Sequence, residues 1–67
     1  MQGYLICCIA EKHTKKQITP FVEFHRFASS DIPQFPSDND IKTLEQEYNL
    51  KVNGSTNYVD YVWVALS

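Results

Sequence analysis

Tyr4-Leu5-Ile6-Cys7-Cys8-Ile9-Ala10 is the stretch that decides the fold. Successive side chains of a strand point to opposite faces. A run that is apolar at both parities is therefore apolar on both faces, which suits a strand covered from both sides. The other end of the chain has the same character. Tyr58-Val59-Asp60-Tyr61-Val62-Trp63-Val64-Ala65-Leu66 is broken only by Asp60. Between these two runs the sequence offers one helix. One helix covers one face of a small sheet, so the other face needs a partner.

Working outward, the first strand is expected at residues 3 to 11. The polar stretch Glu11 to Gln17 forms a loop, and Ile18 to Phe27 returns as a second strand, with Phe21, Val22, Phe24 and Phe27 interleaved with Glu23, His25 and Arg26. Pro20 has no N–H to give to a ladder, which places this strand at an edge. The loop Ala28 to Ser37 follows, where Pro33 and Pro36 bracket Phe35, read as an anchor under the helix. Ser37 is an N-cap residue by type, and Asp38 and Asp40 complement the positive end of the helix dipole. The helix is predicted from Asp38 to Asn49. Ile41, Leu44 and Tyr48 make one apolar stripe, and Asn49 suits a left-handed ending. Lys51-Val52 is read as a short strand and Asn53-Gly54 as a type I′ turn into the terminal strand. Asn53-Gly54-Ser55 also matches a glycosylation acceptor, for which the turn is the plainer explanation.

The order strand, strand, helix, strand gives an α+β fold: an antiparallel sheet of three or four strands (ββαβ) with one helix on one face. The first strand belongs in the centre, in the order 2-1-3. The terminal strand is then an apolar edge, which invites pairing with another chain.

With 67 residues the chain is a single domain, 1–67, and its hydrophobic fraction of 43% supports a compact core. A net charge of −2 argues against a dedicated nucleic-acid binder, which carries a basic surplus. Cys7 and Cys8 are adjacent, and a bridge between neighbouring strand residues strains the backbone. Both read as reduced core thiols, which fits the cytoplasm. No leader-like segment or spanning run of about 18 apolar residues is expected, hence no secretion and no membrane.

Chemistry-bearing residues are few. Cys7, Cys8, His13 and His25 lack the spacing of a metal site, where ligands pair two to four residues apart. A Cys–His nucleophile needs the two in contact, and a hairpin centred near Thr14 or Lys15 brings Cys8 opposite about Phe21 instead of His25. The acids Asp31, Asp38, Asp40, Glu45 and Glu47 read as solvated charges, with a basic partner surface as a lesser alternative. The expectation is a protein that is not an enzyme and uses neither metal nor cofactor.

Two binding readings remain. The preferred one is a small regulator or inhibitor that binds a larger macromolecule, in first place a protein, and occludes its surface. Stand-alone chains of this size occur among phage and mobile-element inhibitors. Tyr58, Tyr61, Trp63 and Tyr4 are the expected anchors, because Tyr and Trp dominate interface hot spots. A homo-oligomer paired through the terminal strand is a variant of this reading. The rival is a single-stranded nucleic-acid module using Lys12, Lys15, Lys16 and Arg26 with an aromatic sheet platform.

Overall fold

The computed structural model describes residues 2–27, 34–52, 54 and 56–66. Four elements follow in chain order: β1 (Gln2–Glu11), β2 (Val22–Phe27), α1 (Asp38–Tyr48) and β3 (Asn57–Leu66). The strands form one antiparallel sheet in the order β2-β1-β3. The ββαβ order and the central place of the first strand are as its two-sided hydrophobicity predicts.

Centrality sets the burial of β1. Leu5, Cys7 and Ile9 are fully buried on the helix face, and Cys8 and Ala10 are 1% exposed on the other. Leu5, Cys7 and Ile9 join Leu44 and Val52 in the core, with Val22, Phe24, Ile41, Tyr48, Leu50, Val59 and Trp63 packed against them. Gly3 also lies on this face, under Trp63. A Cβ built on Gly3 would stand 2.3 Å from the indole ring, so only glycine lets the ring come this close to the strand.

The hairpin between β1 and β2 is less regular than predicted. Its tight end has Lys15 at φ 60, with Glu11 N–H donating to Lys16 O at 2.9 Å and Lys15 N–H to Glu11 O at 2.9 Å. An isolated bridge joins Ala10 to Gln17, and the ladder resumes at Cys7↔Val22. From Ala10 to Cys7 is three steps and from Gln17 to Val22 is five, so the return arm holds two residues in excess. Thr19 absorbs them. Its hydroxyl accepts from Ile9 N–H at 2.9 Å, and Ile9 O accepts from Ile18 N–H and Thr19 N–H. A side chain thus replaces a ladder carbonyl, and Pro20 sits where no ladder donor is needed. For this reason the second strand begins at Val22, not at Ile18.

Helix α1 starts and stops where its caps dictate. Ser37 Oγ accepts from Asp40 N–H and Asp40 Oδ2 accepts from Ser37 N–H, a complete capping box. Arg26 donates to the same Asp40 oxygen, pinning the end of β2 to the start of the helix. Asn49 ends it in the left-handed region at φ 53. Leu44 is fully buried, and Ile41 and Tyr48 flank it on the core side, as the stripe requires.

Two further expectations are corrected. Lys51-Val52 is not a strand: Val52 N–H donates to the Glu45 carboxylate at 3.0 Å and its side chain joins the core, so among the described residues the sheet has three strands. Phe35 is not tucked under the helix. It is 64% exposed and meets Tyr61 edge-on, with ring centroids 5.5 Å apart. Gly54 has φ 66, as a turn glycine there should. Asn53 and Ser55 of that turn, and residues 28–33 of the preceding loop, lie outside the described residues.

Candidate protein interface

Among the described residues the sheet has a helix on one face only, and the pairing register shows what the other face displays. Partners in an antiparallel pair share a face. Gln2, Tyr4, Ile6, Cys8 and Ala10 of β1 therefore stand with Leu66, Val64, Val62, Asp60 and Tyr58 of β3, and with Glu23 and His25 of β2. Near the hairpin this face is closed. Ala10 and Cys8 are buried, Tyr58 stands opposite Ala10, and Lys15 Nζ lies 5.0 Å above the Tyr58 ring. Toward the other end it is open. Val62, Val64 and Leu66 are exposed, Val62 by 53%, next to half-buried Tyr4 and Ile6. Ile6, Phe21, Glu23 and Val62 line a shallow apolar depression. His25 packs edge-on against Tyr4 at 5.4 Å.

The four expected anchors fall on both faces. Tyr4 and Tyr58 stand on the open face. Tyr61 and Trp63 stand on the helix face, where Trp63 packs against the core. Phe21, Ile6, Val62, Val64 and Leu66 were not singled out from sequence, and they form most of the open surface. Their signal was parity: alternate residues of both end runs are apolar, and only the register shows which set the helix leaves uncovered.

The residues of the nucleic-acid reading do not gather in one place. Lys12, Lys15 and Lys16 are exposed at the hairpin end. Arg26 lies opposite Gly3 near the start of β1, at the far end of the sheet, and is engaged by Asp40.

The thiols are built into the sheet. Cys7 stands opposite Val22 and Tyr61, and Cys8 opposite Asp60, while His25 stands opposite Tyr4. The two cysteines face opposite ways as free, buried thiols. Burial pushes the Cys7 thiol up to about 11, partly offset by Arg26 and reinforced by Cys8. Burial, and then the Asp60 carboxylate, push Cys8 upward too. A thiol held protonated is a poor nucleophile and metal ligand. Among the described residues no group of three His, Cys, Asp or Glu is placed to hold a metal ion.

Among the described residues no helix is long and apolar enough to cross a membrane. No family model matches the chain, and no curated protein or solved structure matches it.

Proposed function

We propose that this chain is a small non-catalytic binding protein that docks on another protein through the open face of its sheet and regulates or inhibits that partner by occluding its surface. The observation that carries this reading is the contiguous apolar surface of Ile6, Phe21, Val62, Val64 and Leu66 on the face without a helix. Scattered apolar residues on a surface are ordinary, but a contiguous patch marks an interaction site. Tyr4, beside Val64 at the open end of the same face, supplies an aromatic anchor.

The test compares two baits in native-host lysate after nuclease treatment: the wild-type chain and the double variant Phe21→Lys/Val64→Lys. Both substitutions are at exposed positions. The reading predicts a stoichiometric protein captured by the wild type and lost with the double variant. Equal capture by both, or recovery only of nucleic acid with a steep salt dependence, overturns it.

A further inference from the structure

The outer edge of β3 carries a second, independent recognition feature. Lys12 N–H donates to Thr56 O at 2.7 Å, one step beyond the pair Glu11↔Asn57 in the same register. That bond fixes the phase of the ladder, because hydrogen-bonded and non-hydrogen-bonded pairs alternate. Tyr58, Asp60, Val62, Val64 and Leu66 turn their backbone groups toward β1. Val59, Tyr61, Trp63 and Ala65 turn theirs outward, and among the described residues no strand lies beyond β3. One outward donor is held from within: Tyr61 N–H donates to the Asp60 carboxylate at 2.9 Å.

An alternating row of donors and acceptors is satisfied by another strand. The occupant must also suit apolar side chains on both flanks, Tyr61 with Phe35 on the helix face and Val62, Val64 and Leu66 on the open face. In this chain the strand of that character with a vacant edge is β3 itself. Asp60 is its single charge and selects among the self-pairings. A two-fold axis at Asp60 sets two carboxylates directly opposite. An axis at Tyr61 leaves them diagonal, roughly 7–8 Å apart. An axis at Val62 separates them by four residues, about 13 Å at roughly 3.3 Å per residue, beyond the Debye length of about 8 Å at physiological salt. It sets Asp60 opposite an uncharged valine, Val64, and stacks Tyr61 beside Trp63, an aromatic cross-strand pair made twice.

We propose that two copies of this chain pair antiparallel through β3, with Val62 opposite its own counterpart, into one continuous six-stranded sheet. Asp60 guards the edge and sets the register. Its carboxylate releases Tyr61 N–H to the incoming strand, and its charge excludes the registers that bring two copies of it together. The arrangement leaves the open faces of both copies side by side.

Sedimentation equilibrium over a micromolar dilution series tests the pairing. The wild type is expected as a dimer. Ala65→Pro removes an outward donor and leaves the β1 ladder intact, so it is expected as a monomer with unchanged far-ultraviolet circular dichroism. A monomeric wild type, or a folded Ala65→Pro chain that still dimerises, overturns the proposal. Cross-linking tests the register on an otherwise native chain. Opposed residues of a non-hydrogen-bonded pair have Cα atoms about 4.5 Å apart, within disulfide range. Val62→Cys is expected to form a covalent dimer under mild oxidation. Val64→Cys, whose counterpart would be about 13 Å away by strand rise, and the wild type with its buried thiols are expected not to. Equal cross-linking at positions 62 and 64 overturns the register.

Discussion

β1 and β3 are nearly the same kind of sequence and have opposite fates. Each is a ten-residue strand dominated by apolar side chains. β1 holds Leu5, Cys7, Cys8, Ile9 and Ala10 at 1% exposure or less, whereas no residue of β3 is buried and Val62 is exposed by 53%. Composition does not distinguish them; position does. β1 has a strand on each side, the helix on one face and the hairpin end closing half of the other. Among the described residues β3 has a neighbour on one side and packs against the core through Val59 and Trp63. Hydrophobicity in β1 stabilises the fold, and in β3 it remains available to a partner.

The comparison can be broken by substitution. Leu5→Ala is expected to destabilise the chain by about 2–5 kcal/mol, the range for emptying a packed leucine site, read as the shift in urea midpoint. A loss as small as a surface change would mean that β1 is not the core. The next effect sharpens the comparison through pH. The thiol of Cys7 rises from 9.0 to about 11 on folding. Below pH 9 the thiol is protonated in both states. Between about pH 9 and 11 the unfolded chain loses the proton first, binds fewer protons, and is favoured. Stability therefore falls as pH rises through that window, by up to about 1.4 kcal/mol per pH unit from this group. Urea titrations at stepped alkaline pH should show that slope, and Cys7→Ala should make it shallower. An unchanged slope would show that Cys7 is not shielded from water. The smallest effect is expected on β3: Val64→Thr should stay within about 0.5 kcal/mol in the urea midpoint, as surface substitutions do. A core-sized loss there would show that the open face of β3 is covered in solution.

Much of the fold was legible because several local signals agreed. Ser37, Asp40, the Ile41–Leu44–Tyr48 stripe and Asn49 each have a local meaning, and the helix follows from them. The two-sided hydrophobicity of β1 put it in the centre, whereas Pro20, read as part of the second strand, lies before it, and that strand's edge place follows from the order. The bulge was not legible, since a threonine hydroxyl standing in for a carbonyl leaves no periodic trace. Nor was the exposed position of Phe35. The faces of β3 were hidden for the reason that made it the surest strand: a run apolar at both parities does not say which parity meets the helix. Alternation alone puts Tyr58 and Tyr61, three residues apart, on opposite faces, but which of them meets the helix shows only in the register.

The clamp between Arg26 and Asp40 has a practical consequence. It joins the last part of β2 directly to the first turn of α1, so the spatial relation of these elements is held by side chains as well as by the chain that links them. Once two flanks are tied, lengthening the connection costs little, about 0.6 kcal/mol for each doubling of a loop. The placement of α1 against β2 is thus tolerant of the length of the connection between them, because the ion pair holds the two flanks together.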